Sequence, residues 1–281
     1  MSRKLIVNAD DFGRSRGVSD GILRAHRDGI VTSTTAMMNM PGVAHDLVRA
    51  ASEAPRLGLG VHLTFTAGRP LMPMDWVRSL VDERDHFLSQ EAILQQPTRI
   101  DPDELMSELK AQVNTFKNAL GHLPDHLDAH HFVHLIPPLF RVYLDLADSF
   151  DLPIRLPIPR QPAPLDHVPA LLGNVAPDVL EPIVQADWAL LADRSIRTTD
   201  HFIMSFFGQN TSTASLLQLL ADLPAGVTEL MTHPGLADEH IRAESNYHVE
   251  RERELAALTD PQVLVQLQKL DIELVTYAQL D

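Results

Sequence analysis

The sequence contains no cysteine, comparatively few basic residues and no long apolar run. Because cysteine is absent from all 281 residues, disulfide bonds, thiolate metal ligands and a cysteine nucleophile are excluded. Lysine and arginine number 23 against 38 acidic residues, which gives a net charge of −15. Such a surface repels nucleic acid phosphates and anionic lipid headgroups. We therefore expect neither a nucleic-acid-binding protein nor a membrane-surface protein.

The apolar residues are distributed as in a globular protein. No window approaches the roughly 20 apolar residues of a membrane-spanning helix. The apolar stretch at residues 5–7 is too short for the core of a signal peptide. A hydrophobic content of 44% provides for a sizeable core in one large domain. Together with the lack of cysteine, this predicts a soluble, cytoplasmic protein.

The N-terminal stretch KLIVNADDFG, residues 4–13, predicts a buried strand that ends in two acids. Adjacent carboxylates such as Asp10 and Asp11 resist burial unless a cation or a shared proton compensates them. A solvated turn or a helix cap is the alternative interpretation of this pair. The strand therefore predicts a partner of positive charge.

Apolar strands and amphipathic helices alternate along the rest of the chain. Further strands are predicted over residues 30–38, 57–63, 124–128, 153–156, 201–207, 227–231 and 272–277. Helices are predicted over residues 17–26, 42–54, 102–120, 136–150, 212–223 and 247–270, and a further helix follows residue 182 and ends at about residue 193. This alternation predicts an α/β fold of mostly parallel strands. Seven or eight such strands close naturally as a TIM-like barrel, although a distorted or open barrel fits equally well.

Two stretches lack this regularity. Residues 64–100 are interrupted by prolines, and residues 153–182 contain eight of the 20 prolines, which excludes regular structure there. We expect a single domain over residues 1–281, in which irregular insertions near 64–100 and 157–176 border the substrate pocket.

Potential metal ligands follow four of the predicted strands. Because the carboxyl ends of parallel strands meet at one rim, these side chains are expected to converge. Taken singly, each has a bland alternative: a histidine that caps a strand, a solvated polar loop or a turn residue before proline. Their coincidence at one rim predicts a functional site, and the residues concerned are Asp10 and Asp11, His62, Asp128 with His130, and His233.

One carboxylate and two imidazoles commonly bind a divalent ion that keeps positions open for water and substrate. Such an ion lowers the pKa of its water from about 15.7 toward 7 and polarises a carbonyl group. A second carboxylate can then accept the proton, and a histidine can protonate the leaving group. The set therefore predicts metal-assisted hydrolysis and admits zinc, magnesium and several transition metals.

Five blocks in this order resemble the YdjC-like carbohydrate deacetylases, a family that includes chitooligosaccharide deacetylases. The likeness continues through a C-terminal helix from Tyr247 to Leu258 and spans nearly the whole chain. The matching blocks are NADDFG at 8–13, GIVTS at 29–33, GVHLT at 60–64, LDAHHFVH at 127–134 and MTHPG at 231–235.

The resemblance implies a distorted (β/α) barrel that removes an acetyl group from an N-acetylated sugar or glycoconjugate. It implies one divalent ion, magnesium or zinc, and a homo-oligomer, in this family a dimer. The implied ligands are Asp11, His62 and His130, with Asp10 as general base and His233 as general acid. His134 remains an alternative to His130, because both would share a face of an extended chain. Phe132 stands where many members carry a further histidine.

Three more side chains are candidates for contact with substrate, a small carbohydrate or a glycolipid: Asp128, His134 and Arg155. Arg155 could orient the base, bind substrate or form an ordinary ion pair. Aromatic residues of the first irregular stretch could stack on sugars or pack against the scaffold, and these are Phe65, Trp76 and Phe87.

Two other functions use the same residues. A metal-dependent phosphoesterase is disfavoured by the acidic balance and by the absence of an evident basic clamp for the anion. A catalytically silent metal-binding or regulatory protein is disfavoured by the completeness of the set.

Overall fold

The computed structural model describes residues 2–158 and 177–280, and in this part of the chain seven parallel strands form one sheet. The strands are β1 (Arg3–Phe12), β2 (Ser33–Ala36), β3 (Gly58–Leu63), β4 (Leu127–Ala129), β5 (His201–Ile203), β6 (Gly226–Thr232) and β7 (Ile272–Leu274). The α-helices are α1 (Arg16–Asp28), α2 (Val43–Glu53), α3 (Gln90–Gln95), α4 (Pro102–Leu120), α5 (Pro137–Phe150), α6 (Pro177–Leu191), α7 (Thr213–Ala221), α8 (Glu239–Glu244), α9 (Val249–Leu258) and α10 (Pro261–Lys269). The prediction of an α/β fold with parallel strands is confirmed.

The sheet curls into a distorted barrel around β1. Its strand order is β4-β3-β2-β1-β6-β5, and β7 pairs with the beginning of β1 at residues 3–5. The outer edge of β4 forms an isolated bridge from Leu127 to Ile154, and the Ile154 N–H donates to the carbonyl of Arg197 at 2.9 Å. The prediction of a strand over residues 153–156 was wrong. Ile154 alone pairs with β4 there, and a single bridge does not make a strand.

The two faces of β1 carry different side chains. Alternate residues point to opposite sides of a strand, and Leu5, Val7 and Ala9 belong to the main hydrophobic core. Ile6 lies on the other face and packs with Val275 and Tyr277 in a small second cluster. The inner face of β1 then becomes polar at Asn8 and Asp10, both buried. The barrel interior is thus apolar at one end and acidic toward the carboxyl ends of the strands.

The helices begin and end largely where the sequence places them, with three exceptions. Helix α6 already begins at Pro177, so the prediction that prolines exclude regular structure up to residue 182 was wrong, and α8 was not predicted. The sequence predicts a single helix over residues 247–270, but α9 ends at Leu258 and α10 begins at Pro261. Pro261 lacks an N–H to continue the hydrogen-bond ladder, and the Asp260 carboxylate caps the new helix through the Gln262 N–H at 2.9 Å. Among the residues described, none of the helices has both the length and the apolar character needed to cross a membrane.

The first irregular stretch, residues 64–100, contains α3 and three short 3-10 helices. In the second, predicted over residues 157–176, the positions from 159 onward lie outside the described residues. The border role of both stretches stays a prediction.

Helix α1 packs directly on the segment that follows β6. A Cβ built on Gly21 would lie 2.5 Å from the Gly235 Cα and 2.8 Å from the Leu236 nitrogen, both backbone atoms. Only glycine therefore allows this approach, which fixes the chain two residues after His233.

We expect Gly21→Ala to destabilise the protein by about 1–2 kcal/mol. Alanine gains about 1 kcal/mol in helix propensity. Overpacking costs roughly 1–3 kcal/mol, and contact with backbone atoms at 2.5–2.8 Å places this site in the upper part of that range, at about 2–3 kcal/mol. Urea unfolding measures the difference. Asn114→Ala, on an exposed face of α4, is the matched control and should be neutral or slightly stabilising. Equal stability of the Gly21→Ala variant and the unsubstituted protein would show that this contact does not constrain the fold.

Candidate functional site

A β-bulge brings two adjacent aspartates into one cavity. The pairing of β1 with β2 shifts register between Ala9 and Phe12, and Asp11 has a φ of 70°. Strict alternation would send Asp11 to the side of Ala9, into the core beneath the helices. The bulge instead interrupts the alternation, so that Asp10 and Asp11 both line a cavity of about 390 Å³ while Phe12 enters the core.

Asp11, His62 and His130 meet at the carboxyl ends of β1, β3 and β4. The His62 Nε2 lies 3.4 Å from Asp11 Oδ1 and 3.2 Å from His130 Nδ1, and His130 Nδ1 lies 3.3 Å from the same Asp11 oxygen. Tetrahedral ligands at 2.0–2.1 Å from a zinc ion are separated by about 3.3 Å. These three atoms therefore stand at the mutual distances of ligands around one ion.

The hydrogen bonds of these residues also leave room for a cation. Asp11 Oδ1 is buried and has no hydrogen-bond partner among the described residues. A second buried group, Asp10 with His62 and Asp128, comes equally close together, but both Asp10 oxygens accept from Arg155 at 2.7 Å. Since a buried acceptor without a partner is costly, the group of Asp11, His62 and His130 fits a metal ion better.

His62 is oriented by a carboxylate behind it. Its Nδ1 lies 2.7 Å from Asp128 Oδ1, and Asp128 Oδ2 accepts from the Thr35 hydroxyl at 2.9 Å. Burial lowers the pKa of His62, but the charge and hydrogen bond of Asp128, together with Asp11 and Asp10, outweigh it and raise the pKa to about 10. A histidine ligand typically donates its second nitrogen to such a carboxylate, which fixes the ring and raises its basicity. Burial lowers the pKa of His130 to about 4, which leaves that imidazole neutral.

Arg155 compensates the other acids of the interior. This buried guanidinium binds Asp10 through two nitrogens at 2.7 Å, Asp128 at 2.9 Å and Glu229 at 2.7 Å. Burial raises the pKa of Asp10, but the charge and hydrogen bonds of Arg155, together with the charges of His62 and His233, keep this pKa below its ordinary value. Asp10 is therefore ionised at neutral pH, and its geometry favours the interpretation of Arg155 as the residue that orients it.

His233 lies beside Asp10 on the other side of the cavity. Its Nε2 is 3.9 Å from Asp10 Oδ2, and its Nδ1 is 3.9 Å from Glu254 Oε1. The His233 main-chain N–H donates to the Glu254 carboxylate. Burial lowers the pKa of His233 to about 4 and raises the pKa of Glu254 to about 8. A protonated His233 is thus a strong acid next to an ionised carboxylate.

Several candidate residues lie away from the cavity wall. Asp128 and Arg155 are fully buried behind it and contact His62 and Asp10. His134 is buried as well and packs against Tyr143, with ring centroids 4.6 Å apart. The turn over His130–Leu135 has two left-handed residues, His131 and Phe132, which turn both of these side chains toward the cavity and His134 away from it.

Helix α9 and the turn before it carry site residues for which the sequence suggested no role. Arg251 is buried and donates from Nη2 to Asp11 Oδ2, the oxygen that does not face the histidines. Glu254 accepts from the hydroxyl of Tyr247 as well as from His233. The spacing 247, 251, 254 places these polar residues on one side of a helical turn. This spacing is the sequence feature that could have indicated a shared role.

We expect Asp128→Asn to weaken metal binding about 10- to 100-fold, because His62 would lose the carboxylate that orients it. A chelator-competition titration with Zn²⁺ measures this affinity. Asp125→Asn is the matched control, since Asp125 accepts from the Leu59 N–H at 3.0 Å and has no contact with His62 in the described structure. Unchanged affinity in Asp128→Asn with a folded protein would contradict the orienting role.

Comparisons with known proteins extend over nearly the whole chain. The family profile described as "YdjC-like protein" matches residues 4–269. A carbohydrate deacetylase of Brevibacillus brevis is 37% identical over 281 residues, 99% of both chains. A chitooligosaccharide deacetylase of Proteus mirabilis is 35% identical over 284 residues, all of both chains. A crystal structure of an Enterococcus faecalis V583 protein superposes with a TM-score of 0.83 at 33% identity, covering 99% of this chain and 98% of that one.

Both the profile match and the identities extend over nearly the full length, so the resemblance noted from the sequence blocks is confirmed. The chain belongs to the YdjC-like protein family, in which these full-length relatives are named carbohydrate deacetylases.

Proposed function

We propose that this protein is a metal-dependent hydrolase that removes an acetyl group from an N-acetylated sugar or glycoconjugate. The observation that carries the proposal is the convergence of Asp11, His62 and His130 beside a second carboxylate, Asp10, and a second imidazole, His233, in one cavity. The names of the full-length relatives give the substrate class. Chitooligosaccharides are the first candidates, because the Proteus mirabilis relative carries that name.

Asp11, His62 and His130 are the residues that would hold the ion. A divalent ion bound there would supply polarisation of the acetamide carbonyl and acidification of a water molecule. Arg251 donates to Asp11 Oδ2, so Oδ1 is the oxygen that remains directed at the two histidines. The set suits zinc and also admits magnesium or another transition metal.

Asp10 is the general base of the proposed reaction. Its carboxylate is ionised, buried and held in one orientation by Arg155 and by the Asn8 side chain, which donates at 2.9 Å. A base fixed in this way loses no orientational freedom when it accepts a proton from the attacking water. Because a carboxylate of low pKa is a weak base, this role depends on the acidification of the water that a bound ion would supply.

His233 is the general acid. The 3.9 Å between Asp10 Oδ2 and His233 Nε2 allows the proton taken from water to reach the imidazole with little movement. Because burial lowers the pKa of His233, the imidazolium readily gives this proton to the departing amine nitrogen. Glu254 lies 3.9 Å from the Nδ1 of this ring and accepts from the His233 main-chain N–H, which holds the residue in position.

One observation supports the phosphoesterase alternative and another opposes it. Arg14 and Arg251 line the cavity, so basic groups are present that the sequence had not indicated. Both guanidinium groups, however, are engaged by Asp11 Oδ2, Arg14 at 3.4 Å, and their charge is partly neutralised. An acetamide, which is uncharged, fits this balance better than a phosphate ester.

We expect Asp10→Asn and His233→Ala to lower kcat for an N-acetylglucosamine oligomer by about 10²- to 10⁴-fold, the usual contribution of a general base or acid. Both variants should retain metal, since neither residue belongs to the proposed ligand set. His62→Ala and His130→Ala should lose metal and activity together. Acetate release and metal content after dialysis measure the two effects, and circular dichroism verifies folding.

His45→Ala serves as the control, because this histidine is 81% exposed and remote from the cavity. A chelator should abolish activity in the unsubstituted protein, and the metal should restore it. Hydrolysis of a phosphate ester with no release of acetate from any sugar would favour the alternative. Full amidase activity in both classes of variant would contradict the mechanism.

A further inference from the structure

Two chemically different sets of residues line the cavity. The metal-ligand and base residues form a polar set with Arg14 and His131. The apolar set comprises Phe132, Met204, Phe207, Met231 and Tyr247. A sugar ring has the same division, since its hydroxyl and acetamido groups project from the rim while its faces present C–H groups. Cavities of this size bind small ligands through an apolar wall and a few polar groups.

Phe207 is the most exposed aromatic residue of this apolar set. It is 46% exposed although it lines the cavity. One of its faces is covered, because the ring is stacked on Tyr247 with centroids 4.3 Å apart and an angle of 4° between the planes. The opposite face is therefore the one left open. An aromatic face of this area gains free energy when an apolar surface covers it.

Hydrogen bonds of the Tyr247 hydroxyl hold the stack of Phe207 and Tyr247 in position. The Tyr247 hydroxyl accepts from the Gly208 N–H at 3.1 Å, next to Phe207 in the chain, and donates to Glu254. The same Glu254 carboxylate accepts from the His233 N–H. The stack of Phe207 and Tyr247 is thereby tied to the residue that serves as general acid.

His233 contacts both rings of the stack at their edges. Its centroid lies 5.4 Å from that of Phe207 and 5.8 Å from that of Tyr247, with interplanar angles of 69° and 68°. His233 thus lies beside the stack and slightly nearer to Phe207, so that an acetamido group projecting from a ligand ring on the open face of Phe207 can extend toward the imidazole. An acetamido nitrogen must lie near this imidazole to receive a proton.

The aromatic residues considered from the sequence do not meet these conditions. Phe65 and Phe87 are buried in the hydrophobic core, and this confirms the scaffold alternative for both. Trp76 is 65% exposed but does not line the cavity.

We propose that Phe207 is a specificity-determining residue, the platform on which the pyranose ring that carries the scissile acetamide stacks. This inference rests on the proposed function and adds that the enzyme requires a ring at the acetamide rather than any acetylated amine. The Tyr247 ring supports the platform from behind, and His233 meets the substrate at the edge of the stack.

The test compares Phe207→Ala and Phe207→Trp with Trp76→Ala, which removes an exposed aromatic outside the cavity. Kinetics are measured with an N-acetylglucosamine dimer and with N-acetylethanolamine, which has the acetamide but no ring. Binding of the glucosamine dimer, which carries no acetamide and so cannot react, is measured separately by calorimetry. We expect Phe207→Ala to raise KM and the Kd of this dimer about tenfold, the size of one lost aromatic contact, with kcat changed by less than about threefold.

Phe207→Trp should restore both constants, Trp76→Ala should leave them unchanged, and N-acetylethanolamine should be a poor substrate for every variant. Unchanged KM and Kd in Phe207→Ala would overturn the proposal, as would a loss in kcat alone, which would indicate a structural effect on His233. If the unsubstituted protein hydrolyses no acetylated sugar, the proposed function fails. The binding measurement with the glucosamine dimer still decides the role of Phe207 in that case.

Discussion

Arg155 is the cation on which the acidic interior of this barrel depends. Its guanidinium is 1% exposed and contacts three buried carboxylates, those of Asp10, Asp128 and Glu229. Transfer of each carboxylate from water costs several kcal/mol unless a geometrically well-placed partner compensates it. A planar group with five N–H donors is suited to such a task, and a lysine with its single ammonium centre is not. Removal of Arg155 would leave charges of one sign facing each other in a medium of low dielectric constant.

This compensation has a direct consequence for the chemistry. Arg155 donates to both oxygens of Asp10. Asp10 therefore stays ionised but is poorly available as a metal ligand. Asp128 is engaged by Arg155 and Thr35 on one oxygen and by His62 on the other. Of these three acids in the described structure, Asp11 alone, which Arg155 does not reach, keeps a buried oxygen without a hydrogen-bond partner. Arg155 thus leaves the three neighbouring acids in different environments, which suit the proposed roles of base, support for His62 and metal ligand.

The turn before α9, together with that helix, completes the site from the opposite side. Arg251 engages the outer oxygen of Asp11, Glu254 accepts from His233, and Tyr247 supports Phe207. The proposed metal ligand Asp11, the proposed acid His233 and the aromatic residue Phe207 therefore all depend on about two turns of chain that lie far from β1 in sequence. A shift of this segment would displace all three at once, and the close packing of α1 on Gly235 restrains such a shift.

The sequence by itself determined the parallel α/β architecture and the rim at which the site lies. Continuous apolar runs, amphipathic helical spacing and the rule that parallel strands present their carboxyl ends together are local or general properties, readable without coordinates. They sufficed to bring Asp11, His62 and His130 to one place, where the structure finds them together. The same reasoning failed for residues 153–156, since a strand exists only if a neighbour pairs with it, and there one bridge forms.

Tertiary structure alone decided which side chains face the cavity. The bulge at Asp11 and the left-handed turn at His131 and Phe132 break the regular alternation, and no periodicity predicts where such a break falls. They bring Asp11 beside Asp10 and turn His134 toward Tyr143. The pairing of Arg155 with acids more than 70 residues away and the exposure of Phe207 likewise depend on distant segments. Contacts between distant segments are set by packing of the whole chain, and for that reason the sequence pattern did not contain them.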